Sequence, residues 1–226
     1  MIQVPMALTV TTAANAVCRP TFKVDAKSYE AGTAFLLASA RPLLLTAHHL
    51  FGPDGGLAKS LTWQDMPAHA HVVSCKPIGT GRPISGEVAV AIPGAHSMDP
   101  AEQSGTINDV AVFRASPDSS VVPSLTLAVS SPKEGDRVFL IAEVEGSDSP
   151  LHPAHVLGLQ NGALLFAYDD PKLELQATSG APIVNTDGKV VGLNLGGGYD
   201  AEAKTVIGVA DDLAVLTRAV TAAGDR

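Results

Sequence analysis

Cysteine is nearly missing from this 226-residue chain: there are two, Cys18 and Cys75. Two thiols complete neither a four-ligand zinc site nor a multi-bridge scaffold. They leave open either one disulfide, which would imply an oxidising compartment, or two unpaired thiols. Charge is scarce as well. At 17% of residues it is too low for a disordered or coiled-coil chain. Its balance is acidic, with 15 Lys and Arg against 23 Asp and Glu for a net charge of −8. No dense basic run exists, so the phosphate-neutralising surface of a nucleic-acid binder is missing. No apolar stretch approaches the roughly 20 residues of a membrane span. The first 17 residues are apolar and small, but they lack the basic start of a signal peptide and are interrupted by Thr and Asn.

What is present is apolar material, 46% of the chain, punctuated by 21 Gly and 16 Pro without period. Short apolar runs between scattered turn residues predict an all-β barrel or sandwich. Strands are expected at 21–24, 33–38, 42–47, 70–75, 87–92 and 108–114, and again at 137–143, 154–160, 163–168, 181–185, 189–195 and 204–209. The Ser- and Pro-rich stretch 115–136 between the two sets reads as a linker. The expected organisation is therefore an N-terminal lobe, 1–118, and a C-terminal lobe, 119–226, each a six-stranded antiparallel barrel whose closure removes exposed edges. One helix is expected over 210–222, capped by Asp211 or Asp212. A cleft between two lobes is the default place for a site.

Three segments carry chemistry. In RPLLLTAHHLFG, residues 41–52, a buried strand ends by presenting His48 and His49, a rigid platform for a general base. In INDVAVFR, residues 107–114, Asp109 opens an apolar strand, where a buried carboxylate can hold an imidazole Nδ1–H and fix its tautomer. In QATSGAPIVN, residues 176–185, Ser179 sits among small residues that let backbone N–H groups converge on an oxyanion. Singly, each has a bland reading: a structural His, a turn Asp, a Ser-Gly turn.

Together and in this order they resemble the trypsin/chymotrypsin family of serine proteases, including its bacterial high-temperature-requirement branch. TAHH at 46–49 is similar to the family's Ser/Thr-Ala-small-His, GTAFLL at 32–37 to its preceding strand, and NDVAV at 108–112 to its Asn-Asp-Ile-Ala-Leu. ATSGAP at 177–182 follows its Gly-Asp/Asn-Ser-Gly-Gly-Pro more loosely, and VVGLNL at 190–195 its Val-Gly-Ile strand. The resemblance implies a chymotrypsin-like fold of two Greek-key barrels and an endopeptidase with a His49–Asp109–Ser179 triad. It implies an oxyanion hole from the N–H groups of Ala177 and Ser179, and a substrate pocket near Leu173, Leu195, Gly196 and Gly197. Its substrate would be a protein or peptide, with no cofactor or metal, no nucleic-acid or membrane partner, and a secreted or periplasmic setting. Register after Thr46-Ala47 makes His49 the base, with His48 as the alternative.

Three positions depart from the family. Ala177 stands where it nearly always has Gly, which raises a second reading, a catalytically impaired module that binds peptides. Thr178 replaces the Asp that pairs with a freshly cut N-terminus, so activation by such a cut is not expected. Ala181 replaces a Gly. Elsewhere, His69 and His71 are expected to alternate along one strand face without the partners that complete a metal site. His96, His152 and His155 read as loop or strand-surface residues.

Overall fold

The computed structural model describes residues 13–98, 107–116 and 123–224. Two antiparallel sheets supply most of its regular structure. The first contains β1 (Val17–Val24), β2 (Lys27–Glu30), β3 (Ala34–Leu37), β4 (Leu43–Ala47), β5 (Ala70–Pro77), β6 (Gly86–Val90) and β7 (Val110–Ala115). Its order is β2-β1-β3-β4-β7-β6-β5, and β1 also pairs with β5. Six strands therefore close on themselves, with β2 attached as a hairpin arm. The second is a closed barrel, β10-β13-β12-β11-β8-β9. Its strands are β8 (Arg137–Ile141), β9 (Leu151–Gln160), β10 (Ala163–Tyr168), β11 (Pro182–Asn185), β12 (Val190–Asp200) and β13 (Thr205–Asp212). This is the chymotrypsin-like architecture of two six-stranded barrels.

The twelve strands expected from the sequence all form, and β2 is an addition. The stretch expected as a linker lies partly outside the described residues. From Pro123 on it runs without long strands, touching each barrel once through parallel bridges, Leu37 with Leu125 and Leu127 with Val190.

Apolar runs such as AFLL and LLLTA are buried along their whole length, because a small barrel fills its interior while its outside packs on the neighbouring lobe. Phe22, Phe51 and Phe113 cluster in the first barrel, with ring centroids of Phe22 and Phe51 4.7 Å apart. Cys18 and Cys75 are joined in a disulfide with a Cα separation of 5.3 Å, tying β1 to β5. The C-terminal helix, Leu213–Gly224, begins three residues later than expected because Ala210–Asp212 remain paired to β12. Asp212 caps it, its Oδ1 accepting the N–H of Val215 at 2.9 Å. Val215, Leu216 and Ala219 bury its apolar face in the core that includes β7 of the first barrel. The helix thus straps the second lobe onto the first.

His69 does not lie on a strand. It ends a short helix, Met66–His69, and its Nδ1 pairs with Asp25 at 2.7 Å, so His69 and His71 do not share a strand face. His152 is buried, its Nε2 held 3.1 Å from the Ala142 carbonyl.

Candidate active site

β4 and β7 are neighbours, with Ala47 opposite Val110. That pairing sets the end of one beside the start of the other. His48 and His49 follow β4 in a 3₁₀ turn, His48–Phe51, and Asp109 immediately precedes β7. The backbone seals the junction, His48 donating its N–H to the Asp109 carbonyl at 3.0 Å.

Asp109 is completely buried, and an isolated charge there would be expensive. Its carboxylate is instead surrounded by donors. Oδ1 accepts the His49 N–H at 2.7 Å. Oδ2 accepts the Met98 N–H at 2.8 Å and lies 2.9 Å from His49 Nδ1. With Nδ1 carrying the proton toward Asp109, Nε2 of His49 is left as the basic nitrogen. Burial pulls the His49 pKa down, but the hydrogen bond and charge of Asp109 outweigh it, and the net shift is upward.

His48 takes the opposite course. It is 2% exposed, and both ring nitrogens lack a partner among the described residues. Burial lowers its pKa, with Asp109 opposing only in part. A neutral, unpartnered ring is a packing group.

Ser179 comes from the loop before β11. Gly180 donates its N–H to the Asn194 carbonyl at 2.7 Å, and Asn194 donates back to Ala181 at 2.8 Å. The loop also crosses to the first barrel: Thr33 donates its N–H to the Ser179 carbonyl at 2.8 Å. Gly180, at φ +87°, lies so close to the end of β4 that an added Cβ would strike the Thr33 carbonyl and Thr46 Oγ1. Gly32, at φ +60°, is equally tight: its Cβ would sit 2.6 Å from the Ser179 carbonyl oxygen. The serine loop is therefore seated directly on the strand end that bears the histidines. The Ser179 hydroxyl itself donates to the Leu195 carbonyl at 3.0 Å, and no hydrogen bond joins it to His49.

Ala177 adopts φ +59°, a left-handed conformation that costs an L-residue about 1–2 kcal/mol. Its carbonyl is held by Thr33 Oγ1 at 2.8 Å and by the Arg19 guanidinium at 2.6 Å. Neither the Ala177 nor the Ser179 N–H meets a backbone carbonyl among the described residues. Thr178 is buried, its hydroxyl donating to the Leu175 carbonyl at 2.7 Å and lying 3.1 Å from Asn194 Nδ2. It satisfies the loop internally.

A pocket of about 430 Å³ opens between the chain before the serine loop, 171–176, and the glycine-rich end of β12, and Ser179 is not among its lining residues. Leu173, Gly196 and Gly197 line it, with Glu174, Tyr199 and Val206. Leu195 is not in its wall; it is buried and contributes the carbonyl that holds Ser179.

Residues 32–193 match the family model of the trypsin-like peptidase domain, nearly three-quarters of the chain. The chain belongs to the trypsin-like peptidase family. No curated protein sequence matches it, but solved structures show the same fold. The serine endoprotease of Yersinia pestis aligns with a TM-score of 0.60 at 18% identity, covering 98% of this chain and 67% of that one. The HtrA-type protease AlgW, solved with a decapeptide, gives 0.59 at 18%, covering 98% and 68%. The Rv3671c protease of M. tuberculosis in its active form gives 0.56 at 16%, covering 96% and 86%. Its inactive form gives the same TM-score, 0.56, so overall likeness does not distinguish the two states. Membership of the family supports serine peptidase chemistry on a protein or peptide substrate. Among the described residues of this trypsin-like peptidase, no helix is long and apolar enough to cross a membrane.

Sequence reading did not single out Arg19, Thr33 or Asn194, which hold the serine loop, and took Asp211 only as a helix cap. Asp211 is buried beneath Asp109, its Oδ1 accepting the Asp109 N–H at 3.2 Å. An aspartate inside the apolar run VIGVADDLAVL was the one available signal.

Proposed function

We propose that this trypsin-like peptidase is an active serine endopeptidase with His49, Asp109 and Ser179 as its triad. The observation that carries the reading is the buried Asp109–His49 pair, with Nδ1 2.9 Å from Oδ2, beside a serine loop seated on the same strand end. Ser179 Oγ turns from the Leu195 carbonyl toward His49 Nε2 and attacks the scissile carbonyl, while His49 takes its proton. Asp109 orients the ring and stabilises the imidazolium. The oxyanion is received by the N–H groups of Ala177 and Ser179. His49 returns the proton to the leaving amine, and water then hydrolyses the acyl-enzyme. Leu173 in the pocket lining suits small or apolar side chains, Glu174 in the same lining suits a basic one, and the two barrels act as lobes 1–118 and 119–226. The Cys18–Cys75 bridge fits the oxidising environment of a secreted or periplasmic protein.

A second reading, a catalytically impaired binding module, draws on the Ser179 hydroxyl bonded to Leu195 rather than to His49. Labelling with a fluorophosphonate separates the two. Modification of Ser179 in the folded protein, abolished by His49→Ala, supports the peptidase. A Ser179 that stays unmodified supports the binding module.

A further inference from the structure

Arg19 lies on β1, far from the triad in sequence, and faces solvent with about a quarter of its side chain (28% exposed). Its guanidinium nevertheless bonds to three backbone carbonyls in three separate segments. Nη1 donates to Ala177 at 2.6 Å and to Gly32 at 3.2 Å. Nη2 donates to Glu143, in the loop after β8, at 2.8 Å. Nε lies 3.5 Å from the Glu143 carboxylate. The strand beneath it is immobilised on both sides: Cys18 is in the disulfide, and Arg19 itself pairs with Lys76 on β5.

The contact to Ala177 matters because of where that carbonyl sits. The peptide plane joining Ala177 to Thr178 lies between the N–H groups of Ala177 and Ser179. One end of the plane is held by Arg19 and Thr33, the other by the Thr178 N–H donating to Leu175 at 3.2 Å. Ala177 occupies a left-handed conformation unfavourable to any residue with a Cβ, and such a conformation persists only where surroundings over-determine it.

We propose that Arg19 is the positioning residue of the oxyanion loop. It is a cationic clip from the first barrel that holds the Ala177–Thr178 plane and so aims both flanking N–H groups. This rests on the reading of Ala177 and Ser179 as the oxyanion hole. It also explains how the chain uses alanine where its family uses glycine. A fork of donors spread over three carbonyls cannot be reproduced by the single ammonium of lysine.

The test uses Arg19→Met, which keeps the apolar stem, and Arg19→Lys, the conservative change, in the full chain. Amide hydrogen exchange across 175–180 is read first, since it needs no catalysis. Both variants are expected to exchange faster there than wild type, Met more than Lys. For turnover, kcat falls by roughly 10- to 100-fold in Arg19→Met with KM little changed, short of the loss for deleting a donor outright. Affinity for a peptide boronate, a tetrahedral mimic, falls in parallel. Arg19→Lys lies between. Unchanged exchange across 175–180 in a folded Arg19→Met protein overturns the clip, whether or not the wild type is active. So does loosened exchange with unchanged kcat and boronate affinity. If wild-type Ser179 resists the fluorophosphonate, the peptidase reading fails instead, and exchange still decides the clip.

Discussion

Asp109 and Asp211 meet at the junction of the two barrels, the backbone N–H of the first donating to Oδ1 of the second at 3.2 Å. Asp211 is fully buried and its Oδ2 has no partner among the described residues. Burial first, and then the nearby charge of Asp109, push its pKa well above the ordinary range. The protein thus sets a carboxyl of raised pKa directly behind the one that holds His49.

Asp211→Asn preserves the acceptor and removes the titration. Between the ordinary Asp value, about 4, and the raised value in the native protein, the folded state holds a proton that the unfolded state releases. Stability therefore falls as pH rises through that window. The Asn variant is expected to flatten this slope and to gain most over wild type at neutral pH, read from urea unfolding at several pH values. Asp211→Leu, by contrast, orphans the Asp109 N–H and is expected to cost about 1–3 kcal/mol.

If His49 is the general base proposed above, its raised pKa sets the acid limb of activity. A general base must be unprotonated, so kcat/KM is expected to rise with pH through a value above about 6.5. Asp109→Asn removes the partner that raises it. The limb is expected to move to lower pH, and kcat to fall by roughly 10³–10⁴-fold. A pH–rate profile of both proteins checks the sign and the size.

The two adjacent histidines are expected to behave differently. His49→Ala abolishes labelling of Ser179. His48→Leu, which replaces an unpartnered buried ring by an apolar group, leaves labelling intact and costs little stability, because no hydrogen bond among the described residues is lost. Loss of labelling in His48→Leu and not in His49→Ala would reverse the assignment.

Ala177→Gly relieves the left-handed backbone at that position. A gain of about 1 kcal/mol, less the added freedom of the unfolded chain, is expected in thermal unfolding, with turnover undiminished.

The disulfide closes a sequence separation of 57 residues. By the chain-entropy argument its removal, as Cys18→Ser with Cys75→Ser, is expected to lower stability by about 4 kcal/mol, measured by denaturant unfolding of the two proteins.

Most of this architecture was legible because each barrel strand carries its own apolar run. β2 was not: KSYE has no buried face and forms only as an arm paired to β1. His69 misled because the segment before His71 folds into a short helix with a proline in its first turn, which breaks the strand alternation. At the candidate site, the proposed triad residues His49, Asp109 and Ser179 each sit in a short motif of small or apolar neighbours. Arg19 and Asp211 belong to none of these motifs. Their partners are 158 and 102 residues away, and an arginine after a cysteine or an aspartate before a helix looks ordinary until the barrels close.

Gly32 and Gly180 touch no proposed reacting atom, yet each is wedged against the other barrel's backbone with no room for a methyl group. A saturation map of this gene would therefore mark both as intolerant as the proposed triad. Ranking positions by mutational sensitivity would blend the packed seam between the two halves with the chemistry proposed for them. Only a readout that separates folded yield from turnover would tell them apart.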